Sequence, residues 1–167
     1  MTAKEILVDQ FFSSYCRKDW FVPLKDSLTG LTEKQATWNE GPGYHSIYGI
    51  VTHLIFWNER WLNKFKGIAV GKVELDNRKT FKPGAIEISR EEWDISQKKL
   101  FEIMESWVNG MKEIDDSFFS IPVHNQADDP WSAYISQLIM HNIYHTGQIV
   151  TIRKIQGSWN PNLGVES

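Results

Sequence analysis

The chain has 167 residues, with 41% of them apolar, the size and make-up of one compact domain. Eighteen Lys plus Arg stand against 21 Asp plus Glu for a net charge of -3, which supplies no electrostatic footprint for a nucleic-acid partner. The single cysteine, Cys16, forms neither an intrachain disulfide nor a CxxC motif, so a secreted disulfide scaffold is excluded.

The N-terminal residues 1–10 carry Glu5 and Asp9 within their apolar pattern and lack the basic start and apolar run of a signal peptide. No 18-residue apolar stretch occurs, so no spanning helix and no membrane partner are expected, and a cytoplasmic location is the default. Eight tryptophans offer large buried area and amphipathic pocket walls.

Four segments have helical spacing and none has sustained strand-like alternation. The first runs from about residue 4 to 28, through Ile6, Leu7, Phe11, Phe12, Tyr15, Phe21, Leu24 and Leu28, with Pro23 as a point where it kinks or divides. After Gly41, Pro42 and Gly43 comes the second, about 46–66, where Ile50, Leu54, Trp57 and Trp61 step by four, three and four along one face. His53 lies on that inward side, three residues after Ile50 and four before Trp57.

The third segment opens on Ser89-Arg90-Glu91-Glu92, a capping-box pattern, and continues through Trp93, Leu100, Met104, Trp107, Val108 and Met111. Gly110 marks fraying or a stop near its end. The fourth opens at Asp129-Pro130, read as a cap followed by a first-turn proline, and runs to about Gln156 with Gly157 as its C-terminal cap. Leu138, His141, His145, Ile149 and Ile152 step by three, four, four and three, which puts both histidines on the buried stripe.

Residues 67–88 connect the second and third segments. Extended, they reach about 70 Å against about 30 Å for a twenty-residue helix, so they can cross a whole bundle. The expected fold is all-α, a four-helix bundle in up-down-down-up order with a long crossover between helices two and three, forming a single domain over 1–167.

His141 and His145 are side-by-side neighbours on a helix and can reach one ion. A bundle builds metal sites from inward side chains on facing helices, so His53 from the second helix completes a three-nitrogen candidate. Three ligands leave a position open for water or substrate, the mark of a catalytic site. Imidazole donors suit zinc, nickel, copper or iron better than magnesium or calcium. On pattern alone two readings stand. Inward histidines also serve as hydrogen-bonded core residues, but three neutral rings each leave a nitrogen in need of a partner, which a shared ion would satisfy.

Gln148, three residues after His145, reads either as a partner supporting a ligand or as a bundle-edge residue. Asn142 invites the same alternatives, with the packing role preferred. His45 and His124 fall in loops and stay outside the ligand set, though His45 is placed to line the mouth. Trp57 and Trp61 read as pocket walls or as core. Glu59 lies opposite the His53 stripe and Glu92 is assigned to capping, so no general base emerges and the nucleophile would have to come from the metal. Cys16 reads as a buried, inert thiol.

Two segments resemble one family. Ser46-Ile47-Tyr48-Gly49-Ile50-Val51-Thr52-His53-Leu54 is like a serine-led helix carrying a first histidine, and His141-Asn142-Ile143-Tyr144-His145-Thr146-Gly147-Gln148-Ile149 is like an HxxxHxGQ segment, both as in the DinB-like (DNA-damage-inducible) proteins. The resemblance implies an up-down-down-up bundle in which His53, His141 and His145 hold a divalent ion, zinc or nickel, in a homodimer. Relatives include S-transferases using bacillithiol, a mycothiol-dependent maleylpyruvate isomerase and proteins described as metal-dependent hydrolases. The implied activity is transfer of a low-molecular-weight thiol to an electrophile, or hydrolysis. The alternative is a non-catalytic metal-binding protein of the stress response.

Overall fold

The computed structural model describes residues 1–74, 76–82, 87–123 and 129–165, and these are all-helical, with no strand among them. Six helices follow in order: α1 (Ala3–Tyr15), α2 (Leu24–Leu28), α3 (Glu33–Thr37), α4 (Ile47–Phe65), α5 (Arg90–Glu113) and α6 (Trp131–Ile155). Short 3-10 turns occupy Asn77–Thr80, Asp116–Ser120 and Pro161–Leu163. No helix of the described residues is long and apolar enough to cross a membrane.

The expected first helix is divided. Helix α1 begins in a capping box between Thr2 and Glu5 and ends at Tyr15. The Arg17 guanidinium then grips Asp9 on the helix and Asp19 beyond it, each at 2.7 Å, and so turns the chain. Pro23, which has no amide proton to donate, caps the separate α2. Helix α3, with its own capping box between Thr32 and Gln35, has too few apolar residues to register as a periodic segment.

Helix α4 starts where Ser46 Oγ accepts the Gly49 amide at 3.0 Å. Helix α5 starts with half of the expected box. Ser89 Oγ accepts the Glu92 amide, but the Glu92 carboxylate turns to the Tyr48 hydroxyl at 2.6 Å instead of back to the cap. Gly110 is no stop. The helix runs through it to Glu113, and a Cβ there would lie 3.4 Å from the Phe65 ring, so the glycine serves close packing between α4 and α5.

Helix α6 begins one residue later than expected. Pro130 is the cap and makes no side-chain capping bond. The approach is held instead by backbone bonds from Val123 to Asp129 and from Trp131 to Ile121, at 3.1 and 3.0 Å. At the other end Gln156 is the cap, and Gly157, at φ 72°, follows it. Its amide and that of Ser158 close onto the Lys154 and Arg153 carbonyls, which satisfies two otherwise free acceptors.

The four long helices touch in a ring, α1 to α5 to α4 to α6 and back to α1. Phe11, Leu54, Trp93, Leu100, Trp107 and Ile149 fill the space between them and are fully buried. Each such side chain contributes about 1.5 to 3 kcal/mol. The two buried indoles also place their N–H groups, Trp93 on the Leu31 carbonyl and Trp107 on the Asn58 carbonyl, at 3.0 and 3.1 Å.

Candidate metal centre

Helix α4 presents His53 and helix α6 presents His141 and His145 to one another. His53 and His145 are buried and His141 is half-buried. The His141 Nε2 atom lies 3.0 Å from His53 Nε2 and 3.2 Å from His145 Nε2, and the three ligand atoms are all within 4.8 Å of one another.

The hydrogen bonds around the rings decide which nitrogens carry protons. Thr80 Oγ donates to the Asn77 carbonyl at 2.6 Å, so toward His53 Nδ1, also at 2.6 Å, it acts as acceptor. The His53 proton is therefore on Nδ1. Likewise Gln148 donates its Nε2 to the Tyr144 hydroxyl at 3.0 Å and accepts from His145 Nδ1 through Oε1 at 2.7 Å. Both rings consequently turn a bare Nε2 lone pair inward.

His141 faces these two lone pairs with a single Nε2, and its own Nδ1 is buried with no hydrogen-bond partner among the described residues. A proton on His141 Nε2 can satisfy only one neighbour at a time. One cation can accept all three nitrogens, and a tetrahedron with zinc–nitrogen bonds of about 2.0 to 2.1 Å has edges of about 3.3 Å, near the two short separations seen here. The donor set fits a divalent transition ion.

The electrostatics agree. Burial, reinforced by His145 and His141, pushes the His53 imidazole down to about 3. Burial, with His145 adding to it, pushes His141 down to about 4. His145 is lowered as well, burial outweighing the opposing bond from Gln148. The rings are neutral bases at physiological pH, the form in which imidazole binds metal.

The connection between α4 and α5 supplies what covers the rings. Its 3-10 turn carries Thr80, and Phe81 next to it stacks on His53 with ring centres 3.8 Å apart. The other face of Phe81 stacks on His45 at the same separation, so His45 stands one ring away from the ligands. His124 lies outside the described residues. On the open side, a cavity of about 370 Å³ is lined by His53, His141, Trp57, Trp61, Asn77 and Tyr134. A second cavity of about 550 Å³, between Trp38, Tyr44, His45, Tyr144 and Ile152, is also lined by Gln148, the hydrogen-bond partner of His145.

Of the remaining candidates, Asn142 is a packing residue, paired with Asn58 in the core. Glu59 pairs with Lys99 on α5, away from the rings. Cys16 is half-buried and burial raises its thiol, against a nucleophilic role. Sequence reasoning missed Thr80, Phe81 and Asn77. The Asp76-Asn77 pair, a common turn-former, is a signal of local structure there that the sequence reading did not use, and nothing in the pattern links that turn to His53.

No curated protein and no solved structure matches the chain. A family model described as the DinB superfamily matches residues 24–149, a span that opens with α2 and takes in all three histidines. Since that match extends over more than half of the sequence, the chain belongs to the DinB superfamily.

Proposed function

We propose that this chain is a metal-dependent enzyme in which His53, His141 and His145 hold zinc or nickel and a low-molecular-weight thiol is transferred to an electrophile, with hydrolysis as the neighbouring reaction. The observation that carries the reading is the convergence of two proton-free Nε2 atoms on His141 beside an aromatic-walled cavity. A bound divalent ion would supply a nucleophile at neutral pH by deprotonating a coordinated thiol or water.

The chain's own residues do the rest. Thr80 and Gln148 fix the two Nδ1 protons and so aim the lone pairs. Phe81 shields one face of His53 from water. Trp57 and Trp61 offer flat apolar walls to an incoming electrophile.

The same reading includes an up-down-down-up bundle. Its support is the order of contacts. Tyr48 meets Trp93 and Phe65 meets Trp107, so pairs advance together along α4 and α5. Asn58 meets Asn142 and Trp61 meets Trp131, so pairs run oppositely along α4 and α6. Phe11 meets Trp107 and Tyr15 meets Phe101, again oppositely, along α1 and α5. A homodimer belongs to the proposal through the resemblance, and sedimentation equilibrium tests it.

Elemental analysis of the purified protein beside His53→Ala and His141→Ala tests the centre. The expected result is about one transition ion per chain, sharply reduced in both variants. Full occupancy in both would overturn it. The reaction is then tested by offering the loaded protein bacillithiol, mycothiol and glutathione with monochlorobimane.

A second reading has one observation in its favour. Among the described residues, the cavity beside the rings is lined by no carboxylate and no lysine, which leaves Tyr134 as its one titratable side chain besides the histidines. A loaded protein inert with every thiol and with an ester and amide panel would establish the non-catalytic metal-binding role.

A further inference from the structure

The stripe of α4 that carries His53 continues beyond the rings. Trp57, Arg60, Trp61 and Lys64 follow it at four, seven, eight and eleven residues, all on one face of a 3.6-residue helix. Trp57 and Trp61 are walls of the cavity at the histidines and, equally, of a neighbouring cavity of about 440 Å³ closed by Arg60, Lys64, Lys72 and Val73. Both volumes fall within the range of about 300 to 1,000 Å³ typical of small-molecule sites.

The character changes from one cavity to the next. The first is aromatic and uncharged. Among the described residues, the second has three cations and no anion in its lining. Arg60 Nη2 donates to the Gly71 carbonyl, which ties the extended segment after α4 against the helix and brings Lys72 beside it. Lys64 Nζ stands 5.0 Å over the Trp61 ring.

Among the described residues, none of the three has a carboxylate within ion-pair distance. Elsewhere on the surface Arg17 is matched by Asp9 and Asp19, Arg78 by Asp76, Lys82 by Glu92 and Lys99 by Glu59. Other surface lysines also lack an ion pair, and what sets these three apart is that they line one cavity together with two indoles, in a chain of net charge -3.

We propose that Arg60, Lys64 and Lys72 bind the carboxylates of a small-molecule substrate whose middle lies along Trp57 and Trp61 and whose reacting end reaches His53 and His141. This rests on the metal-dependent reading of the histidines and names the substrate class for it. The helical rise puts Arg60 about 10 Å and Lys64 about 16 Å beyond His53, distances that the backward lean of long side chains shortens. A ligand of cysteine size cannot bridge them, whereas one the size of a short peptide can. Three cations spread over a helix and an extended segment suit two separated carboxylates.

S-methylglutathione and its diethyl ester test the shelf, because they differ only in the masking of two carboxylates and have no free thiol to strip a metal. Calorimetry on the zinc-loaded full chain is expected to give about tenfold tighter binding of the acid than of the ester, with the difference falling as salt rises. In a Lys64→Gln, Lys72→Gln double variant the preference should shrink to less than about threefold while zinc content stays at the wild-type level. Equal binding of acid and ester, a preference that survives in the double variant, or no binding of either up to about 5 mM would overturn the proposal. Failure of the protein to retain zinc through dialysis, with the acid-over-ester preference intact in the apo chain, would instead sink the metal reading and leave the shelf standing.

Discussion

Asn58 and Asn142 exchange two amide hydrogen bonds, 2.9 and 3.0 Å long, across the contact between α4 and α6, and both residues are fully buried. Asn142 is next to His141, and Asn58 is five residues past His53. The pair therefore pins the register that brings the histidines of two helices to one point. Asn58 also donates to the Leu54 carbonyl, and its own carbonyl receives the Trp107 indole, which links α5 to the same node.

Removing one amide strands the other in a dry interior. Asn142→Ala is expected to cost about 2 to 4 kcal/mol, the sum of an unsatisfied buried amide and a small cavity. For a domain of this size that lowers Tm by about 5 to 15 °C. Because the two residues act as one unit, Asn58→Ala with Asn142→Ala should cost clearly less than the two single changes added. Urea unfolding of the three variants reads this directly, and simple additivity would show that the amides do not form a unit.

Thr80 governs the centre through a proton. Thr80→Val keeps the shape but removes the acceptor for His53 Nδ1–H, freeing the ring to turn or to carry its proton on Nε2. Zinc affinity, measured by competition with a chromophoric chelator, should fall about 10- to 100-fold, and Thr80→Ser should restore most of it. Unchanged affinity in the valine variant would mean that the ring is oriented by packing on Phe81 alone.

The two halves of the centre differed in legibility for a physical reason. His53, His141 and His145 sit on long helices, where period 3.6 reports which residues share a face, and all three do face inward together. Thr80 and Phe81 belong to an irregular connection with no period to read, so their approach to His53 exists only once the chain is folded. The same distinction explains the division of the first helix. Its apolar positions resume at Phe21 beyond the polar Arg17-Lys18-Asp19, so the pattern reads on across the break, while the Arg17 contacts that turn the chain there are polar and leave no mark in a hydrophobic pattern.

Acid should weaken the metal-free protein. His53 and His141 stay neutral in the folded chain down to about 3 and about 4, because burial opposes their charging, whereas in the unfolded chain they take up protons near 6.5. The unfolded state thus binds more protons as pH drops below 6.5, and stability, complete above that value, declines toward the folded values. Asp9, Asp19, Asp76 and Asp115 have carboxyls held below the ordinary value, so their loss comes only at more acid pH. Urea midpoints of the apo protein are expected to fall between about pH 6.5 and 5, and to fall less steeply in His53→Leu. A flat profile in the wild type would contradict the burial of these rings.

Gly49 sets two effects against each other, and their magnitudes decide the outcome. It lies in the first turn of α4, where alanine would favour the helix by about 1 kcal/mol. Yet a Cβ there would meet the Lys82 carbonyl oxygen at 2.8 Å, a backbone atom that cannot swing aside like a side-chain tip. Lys82 is further tied to α4 by its amide bond to Thr52 Oγ at 3.1 Å and by its ammonium on the Tyr48 hydroxyl at 3.1 Å. The clash has to be relieved by shifting the connection that also carries Thr80, and overpacking of this kind costs about 1 to 3 kcal/mol. Gly49→Ala should therefore destabilise the protein, against its helix propensity, and should loosen metal binding as Thr80 is drawn from His53. Thermal unfolding and chelator competition on one preparation measure both, and a stabilised variant with unchanged zinc affinity would show that the connection does not press on α4.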